Sequence, residues 1–207
     1  MNIIRRFALG ALLTLAMGTA FAAAQAGKDY SLVTPPQPTD TPGKVEVIEF
    51  FSYACPHCSH LEPALEAWAQ KLPPNVVLKR IPVTFGRTEW VALAKVYFTL
   101  EAMGEADKFN AKVFHAIHEG HVNLFSADAC IEWAGTQGLD RRKFGDMFNS
   151  FAVQTRLQRA NIKAQAYAVD GVPTLIVDGR FRTSPAMAGS NEGALAVASE
   201  LIQNSGK

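Results

Sequence analysis

The sequence predicts an α/β fold in which a single β-sheet is interrupted by a long helical insertion. Three observations support this prediction. A strand–helix–strand pattern opens the folded region, a hairpin followed by a helix closes it, and residues 88–168 between them contain helical patterns only. Neither half-sheet could bury both of its faces alone, so one shared sheet explains the pattern better than two independent domains.

Residues 1–26 have the pattern of a secretory signal peptide. Arg5 and Arg6 form a positive start, an apolar run follows over residues 7–17, and small residues of Ala-x-Ala type fit cleavage near residues 22–26. The apolar run is shorter than the roughly 20 residues that span a bilayer, so a retained membrane anchor is the weaker alternative. We therefore expect an exported protein.

The first part of the folded region alternates strand and helix. A proline-rich extended segment covers residues 27–44, and the near-continuous apolar run at residues 45–51 is typical of a central strand that is buried on both faces. Residues 56–72 carry apolar side chains at helical spacing, up to a pair of prolines that stops the helix. Residues 76–81 predict the second strand.

Glycines then separate a series of predicted helices, of which the last is long enough to break into two. These helices cover residues 90–103, 108–118, 127–137 and 141–168. Strand character returns at residues 174–177, and the turn Asp178-Gly179 with a return strand over residues 180–183 is a hairpin signal. Residues 192–203 form the final predicted helix.

We therefore expect a signal peptide over residues 1–26 and a sheet domain in two parts, residues 27–87 and 169–207. The helical insertion occupies residues 88–168 between them. The chain has 207 residues, 48% of them hydrophobic, and a net charge of +1. This composition supports a real core, and it offers no basic field that could hold nucleic acid.

The number and spacing of the three cysteines indicate a reactive pair rather than a framework of structural disulfides. Two of them, Cys55 and Cys58, lie three positions apart, and the third, Cys130, is remote and falls in a helical pattern. A small exported scaffold held by disulfides would have more cysteines, spread along the chain. We expect Cys130 to be a buried core thiol.

The stretch Cys55-Pro56-His57-Cys58 lies where the first strand ends and the first helix begins. Cys55 is then the N-cap residue, and Pro56 takes the first helical position, where its missing N–H costs nothing. A thiolate at the N-cap receives unpaired backbone N–H groups and the positive end of the helix dipole. We expect Cys55 to be the attacking or attacked sulfur and the more enclosed Cys58 to resolve.

His57 lies between the two cysteines and can place a positive or hydrogen-bonding ring near the Cys55 sulfur. Stabilising the thiolate stabilises the reduced protein, which makes the disulfide more oxidising by roughly 30 mV for each pKa unit. The sign of this effect favours an oxidant.

Other interpretations of the two cysteines compete with a redox role. A zinc site built from Cys55, Cys58 and His60 lacks a fourth ligand at paired spacing. Haem attachment requires a histidine directly after Cys58, where Ser59 stands. A purely structural disulfide, in a peptide-binding chaperone for example, remains an alternative, although so small a loop removes little chain entropy.

Glu49 is a candidate acid beside the cysteines. In an extended strand, Glu46 and Glu49 point to opposite faces, and Glu49 shares its face with apolar neighbours such as Val47 and Phe51. A buried carboxyl there would have a raised pKa and could shuttle protons for Cys58. The alternative is that the end of the strand reaches solvent and leaves Glu49 exposed.

Two motifs together resemble the DsbA family of periplasmic disulfide oxidases. They are Glu-Phe-Phe-Ser-Tyr-Ala-Cys-Pro-His-Cys at residues 49–58 and Gly-Val-Pro-Thr at residues 171–174. The resemblance extends over essentially the whole mature chain. It implies a thioredoxin-like fold that carries a helical insertion, and it implies a location in the periplasm.

The resemblance also implies roles for individual residues. Cys55 becomes the nucleophilic sulfur, Cys58 its partner and His57 the stabiliser of the thiolate. Pro173 becomes a cis-proline that faces the disulfide, and Val172 the residue whose backbone pairs with substrate peptide, a form of strand addition that tolerates many sequences. The sequence by itself does not reveal whether the bond before Pro173 is cis.

The same resemblance implies protein partners for the enzyme and a basic residue that faces Glu49. It implies reduced exported proteins as clients, reoxidation by a DsbB-type membrane quinone reductase, and no cofactor beyond the Cys55–Cys58 disulfide. Arg80 matches the basic residue that faces the acid, where the family more often has Lys, and an arginine does not readily give up a proton. An isomerase or a reductase is the nearest rival function, but such proteins usually carry a dimerisation domain, for which the chain has no room. We expect a monomer.

Overall fold

The computed structural model describes residues 23–205, so most of the predicted signal peptide lies outside the described residues. The strands are β1 (Ser31–Leu32), β2 (Val45–Phe51), β3 (Val76–Pro82), β4 (Thr174–Val177) and β5 (Phe181–Thr183). The helices are α1 (Pro56–Ala69), α2 (Thr88–Ala102), α3 (Ala106–His118), α4 (Ala127–Thr136), α5 (Arg141–Phe148), α6 (Phe151–Ala166), α7 (Pro185–Ala188) and α8 (Asn191–Ser205). Within residues 23–205, no helix is both long and apolar enough to cross a bilayer.

One sheet joins the two ends of the folded chain. Its strand order is β1-β5-β4-β2-β3, with β2 and β3 parallel and the other neighbours antiparallel. The central strand β2 therefore pairs with β3 on one side and, across the helical insertion, with β4 on the other. This architecture confirms the predicted fold class, a thioredoxin-like α/β sheet with a helical insertion.

Both faces of β2 are buried, as predicted for a central strand. On one face, Val47 packs in a cluster with Leu61 and Leu65 of α1 and with the apolar side of α8. On the other face, Ile48 and Phe50 pack in a cluster that includes Tyr167. Alternate side chains of one strand thus contact two separate layers of helix.

The helices α2 to α6 build a second core between β3 and β4. It contains 23 buried residues, and the end of β2 and both cysteines of the first helix belong to it. Phe51, Tyr53, Cys55 and Cys58 therefore pack against the insertion. The insertion is a wall of the region around the cysteines and not a remote appendage.

The structure corrects several predicted boundaries. Helix α1 ends at Ala69 and not at residue 72, because the residue before Pro73 is disfavoured in helical conformation. The long predicted helix over residues 141–168 breaks into α5 and α6, the division that its length allowed, and the hydroxyl of Ser150 accepts from the N–H of Val153 and caps α6. Two short elements, β1 and α7, were not predicted, because so few residues carry no periodic signal.

The predicted hairpin between β4 and β5 is confirmed. Asp178 and Gly179 have φ values of 54° and 64°, as a tight hairpin turn with two left-handed residues requires. A Cβ atom at Gly179 would lie 2.0 Å from the carbonyl oxygen of Gln37, so glycine is required there for close approach as well as for conformation.

Candidate active site

The two cysteines lie at the start of α1, directly after the carboxyl end of β2. Cys55 is the N-cap residue in extended conformation and Pro56 is at the first helical position, as the sequence predicts. The carbonyl oxygen of Cys55 accepts from the N–H groups of Cys58 and Ser59, each at 3.1 Å. The N–H of Cys55 donates to the carbonyl oxygen of Ser52 at 3.0 Å, which fixes the turn between strand and helix.

The two sulfurs have different surroundings. Cys55 retains 7% of its surface exposed, whereas Cys58 is fully buried. The neighbouring Pro56 and His57 are exposed. Both cysteines are free thiols in this structure. A reagent or client arriving from solvent therefore meets Cys55 before Cys58.

The pKa of Cys55 is lowered to about 6. The largest cause is a hydrogen bond from the Cys58 thiol, and burial opposes it. The backbone N–H groups of Cys58 and His57 and the imidazole of His57 lower the pKa further. The imidazole of His57 is the last of the four contributions that lower the pKa of Cys55, and the Cys58 thiol is the first.

The pKa of Cys58 is raised well above the ordinary range of a thiol. Burial is the largest cause, followed by its hydrogen bond to Cys55 and the negative charge there, with a contribution from the carboxyl of Glu49. Cys58 therefore keeps its proton when Cys55 is a thiolate. This asymmetry assigns the anionic sulfur to Cys55 and the protonated sulfur to Cys58.

Val172 contacts the reacting sulfur from the far end of the chain. The Cys55 thiol donates to the carbonyl oxygen of Val172 at 3.4 Å. The pairing of Phe50 with Thr174 in the sheet brings the two segments together. The peptide bond between Val172 and Pro173 is cis, which the sequence left undecided, and Pro173 is buried.

Glu49 is buried, with 1% of its surface exposed, so the alternative of an exposed strand end is wrong. Arg80 is its partner in the parallel register of β2 and β3, and the Arg80 Nε donates to Glu49 Oε2 at 3.2 Å. Burial raises the pKa of Glu49 to about 8, while Arg80 lowers it and the nearby Glu62 raises it. Glu49 therefore carries a proton at neutral pH close to Cys58.

Three further residues, Glu62, Glu66 and Asn110, extend the pair formed by Glu49 and Arg80 into a cluster. The sequence analysis did not identify them. Arg80 Nη2 contacts Glu66 Oε1 at 2.5 Å and Glu62 Oε2 at 3.7 Å, and Asn110 Nδ2 donates to Glu62 Oε1 at 2.6 Å. Glu62 is four residues after Cys58 on α1, on the same helical face, and this spacing is the signal that could have identified it.

Tyr53 links the active-site turn to helix α3 at both of its polar ends. Its hydroxyl donates to Asn110 Oδ1 at 2.6 Å, and its carbonyl oxygen contacts His118 Nε2 at 2.8 Å. Asn110 and His118 lie two turns apart on α3. The residue two positions before Cys55 is therefore held by the helical insertion.

Cys130 is remote from this group in the described structure. It is fully buried, its thiol donates to the carbonyl oxygen of Leu124 at 3.1 Å, and burial raises its pKa to about 12. These contacts are those of a core thiol, as predicted.

Comparisons with known proteins agree with the family resemblance of the two sequence motifs. Residues 46–193 match the family model of the DSBA-like thioredoxin domain. The thiol:disulfide interchange protein DsbA of Bordetella parapertussis is 46% identical over 201 residues, which cover 95% of each chain. The protein of the same name from Pseudomonas aeruginosa is 41% identical over 179 residues, covering 86% of this chain and 84% of the relative.

The fold comparison agrees. The crystal structure of Pseudomonas aeruginosa DsbA matches with a TM-score of 0.84 and 38% sequence identity, covering 88% of this chain and 94% of that chain. The reduced DsbA1 of Neisseria meningitidis matches with a TM-score of 0.78 and 28% identity. The similarity therefore extends over the sheet and the helical insertion together.

Proposed function

The chain belongs to the DSBA-like thioredoxin family and is a thiol:disulfide oxidoreductase, and we propose that it donates a Cys55–Cys58 disulfide to reduced exported proteins. The observation that carries this proposal is the asymmetry of the two sulfurs. Cys55 has a pKa of about 6 and some exposed surface, whereas Cys58 is buried with a raised pKa. A low pKa of Cys55 means that its thiolate is stabilised. This stabilises the reduced protein and makes Cys55 a good leaving group.

The reaction has two exchange steps. A client thiolate attacks the Cys55 sulfur of the oxidised enzyme, the S–S bond breaks, and Cys58 leaves as a thiolate that takes up a proton. A second client thiolate then attacks the client sulfur of the mixed disulfide, and Cys55 leaves as a stabilised thiolate. The client loses two electrons and gains a disulfide, and the enzyme becomes the dithiol.

Glu49 is our candidate for the source of the proton that Cys58 takes up. Its carboxyl is buried beside Cys58, and its pKa of about 8 keeps it protonated at neutral pH. Arg80, as an arginine, remains charged and serves to anchor the carboxyl. Transfer of the proton to the leaving thiolate would move the negative charge from the buried sulfur to the Glu49 carboxyl, which accepts a hydrogen bond from the guanidinium of Arg80.

Val172 is our candidate for the client-binding backbone. It is half-buried, its carbonyl oxygen lies against the Cys55 sulfur, and its segment precedes β4. An extended client that pairs with this backbone would bring its own thiol to Cys55. Main-chain pairing of this kind accepts many sequences, which suits an enzyme with diverse clients.

The remaining features of the proposal rest on the sequence and the family. We place the enzyme in the periplasm, as a monomer, with residues 27–87 and 169–207 forming the thioredoxin-like domain and residues 88–168 the insertion. Electrons leave the reduced enzyme through a DsbB-type membrane quinone reductase, and the Cys55–Cys58 disulfide takes the place of a separate cofactor.

The reduction potential tests the direction of the reaction. We expect the Cys55–Cys58 couple, equilibrated with glutathione buffers, to be more oxidising than about −180 mV, the region of disulfide isomerases. We also expect Cys58→Ser, mixed with glutathione disulfide, to form a mixed disulfide at Cys55 with release of one glutathione thiolate, and Cys55→Ser to form none. A potential near that of thioredoxin, about −270 mV, would identify a reductant instead.

A further inference from the structure

The segment between α6 and β4 carries Val172, and few hydrogen bonds hold it. At its start, the N–H groups of Ala168 and Val169 donate to carbonyl oxygens of the last turn of α6, at 2.8 and 2.9 Å. In the part of the chain that the structure describes, the N–H groups of residues 170–172 donate to no protein group. The conformation of the backbone directly before β4 therefore depends on other contacts.

One side-chain hydrogen bond holds this part of the segment. The hydroxyl of Thr174, the first residue of β4, donates to the carbonyl oxygen of Gly171 at 2.8 Å. Thr174 is 5% exposed, so water does not readily replace its hydroxyl as the donor. A Cβ atom at Gly171 would have no described atom within 4 Å beyond its chain neighbours, so packing does not fix the backbone there. Because glycine itself restricts the backbone little, the hydroxyl sets the direction of this carbonyl.

The direction of the Gly171 carbonyl determines the direction of the Val172 N–H. The two groups belong to one planar peptide unit, and this peptide bond is trans. In a trans unit the C=O and the N–H point to opposite sides of the chain. Because the carbonyl points to Thr174, the N–H of Val172 points away from Thr174, to a side where no described group accepts from it.

We propose that Thr174 is a positioning residue for client binding, whose hydroxyl fixes the Gly171–Val172 peptide so that the free N–H of Val172 faces an extended client. This inference rests on the proposed role of Val172 as the client-binding backbone. A donor that is already oriented in the free enzyme binds with a smaller loss of entropy than a donor that each client must order. Thr174 acts through the peptide bond that it holds and takes no part in the exchange of disulfides.

Removing the hydroxyl should turn this peptide. In Thr174→Val a methyl group of similar shape replaces the hydroxyl, and the Gly171 carbonyl loses its donor. A half-buried carbonyl without a donor is stabilised by turning toward water, and a residue without a Cβ atom allows that rotation. The N–H of Val172 turns with the carbonyl and leaves the side from which a client would pair.

Two different thiol substrates separate client binding from disulfide chemistry. We would use stopped-flow fluorescence to measure the second-order rate constants of the oxidised enzyme with a reduced dithiol peptide and with dithiothreitol, which has no backbone to pair. We expect Thr174→Val to slow the peptide reaction about fivefold, the equivalent of one hydrogen bond. The reaction with dithiothreitol should keep its parental rate.

Two further substitutions at the same position test the hydroxyl itself. Thr174→Ser keeps the hydroxyl and should oxidise the peptide close to the parental rate. Thr174→Ala should be slowed like Thr174→Val, and it covers the case in which the valine variant does not fold. In a Val172→Pro background, Thr174→Val should slow the peptide reaction no further, because the N–H that the hydroxyl orients is absent.

Thr183 offers a matched control in the same sheet. It is fully buried, and its hydroxyl donates to the carbonyl oxygen of Asp29 at 2.7 Å. Thr183→Val therefore removes a comparable hydrogen bond from a buried threonine to a backbone carbonyl, but at a different segment. We expect this variant to leave the ratio of the peptide and dithiothreitol rates at the parental value, even if its melting temperature falls.

Three results would overturn the inference. They are a parental peptide rate in Thr174→Val, equal slowing of Thr174→Val and Thr174→Ser, and equal slowing of the peptide and dithiothreitol reactions. Failure of the proposed function would look different. A parent enzyme that does not oxidise the peptide would contradict disulfide donation, and parental kinetics of Val172→Pro would contradict the client-binding role of Val172. A slow Val172→Pro beside a parental Thr174→Val would keep that role and remove Thr174 from it.

Discussion

The thiol of Cys55 lies 3.4 Å from the carbonyl oxygen of Val172, although the helical insertion separates the two residues in the chain. The antiparallel pairing of β2 with β4 produces this contact. Among the described residues the N–H of Val172 has no hydrogen-bond partner. The residue whose carbonyl oxygen contacts the reacting sulfur thus has a free backbone donor.

Replacing Val172 by proline removes that donor. We expect Val172→Pro to oxidise a dithiol peptide with an approximately fivefold higher KM, the cost of about one hydrogen bond of 1 kcal/mol. Val172→Ala keeps the N–H and is the matched control, which should stay close to the parent. Equal peptide kinetics for all three proteins would remove Val172 from the client-binding site.

Alkylation should distinguish the three thiols. The pKa of Cys55 is about 6, that of Cys130 is about 12, and that of Cys58 is raised further. We expect iodoacetamide to label only Cys55 in the reduced protein near pH 6, as read by peptide mass spectrometry. First labelling at Cys58 or Cys130 would contradict the assignment of the nucleophile.

The stability of the reduced protein should depend on pH through Cys55. Its folded pKa of about 6 is below its ordinary value of 9.0, so its contribution is complete above pH 9 and is lost as the pH falls through 6. We expect the unfolding free energy of the reduced protein, relative to Cys55→Ser, to grow by about 1.4 kcal/mol per pH unit between these limits. Urea titrations at several pH values measure it. A constant difference would contradict the lowered pKa.

Two substitutions should rank the causes of the low Cys55 pKa. The hydrogen bond from Cys58 is the largest cause and the imidazole of His57 is the smallest of the favourable ones. We expect Cys58→Ala to raise the thiolate midpoint, followed by absorbance near 240 nm, by about one unit or more, and His57→Ala to raise it less. Cys58→Ser keeps a hydroxyl donor and should fall between the parent and Cys58→Ala. The reverse order would make His57 the principal determinant.

The role of Glu49 as a proton source should appear in the first exchange step. We expect Glu49→Gln to slow the reaction of the oxidised enzyme with a thiol by on the order of tenfold to a hundredfold at neutral pH. Because the pKa of Glu49 is about 8, the parent loses its advantage as the pH rises through 8. Stopped-flow fluorescence follows this step. Glu66→Gln, which removes a partly exposed carboxyl from the same arginine, should have a smaller effect.

Local patterns in the sequence were sufficient for much of the fold. The central strand β2, the N-cap position of Cys55 and the hairpin at Gly179 each depend on residues that are neighbours in the chain. The boundaries of α1 and the short elements β1 and α7 were not predicted correctly, because a few residues at a helix end carry too little periodicity to place it.

The active site divides in the same way. The roles proposed for Cys55 and His57 follow from their place at a helix start, which the sequence reveals. The contact of Asn110 with Glu62 depends on how α3 packs against α1, and no spacing within either helix encodes that arrangement. Glu62 is also buried, whereas glutamate side chains are usually exposed. The residue type therefore gave no reason to expect a second buried carboxyl.

The position of β2 in the sheet has a consequence for how the protein folds during synthesis. Ile48 pairs with Ile176, so one edge of the central strand stays open until the last part of the chain is present. In a chain that is synthesised from its N-terminus, Cys55 and Cys58 are present before Val172. During that interval the unpaired edge of β2 can pair with strands of other chains, which leads to aggregation. The contact between Cys55 and Val172 therefore forms only after the two ends of the folded region have paired.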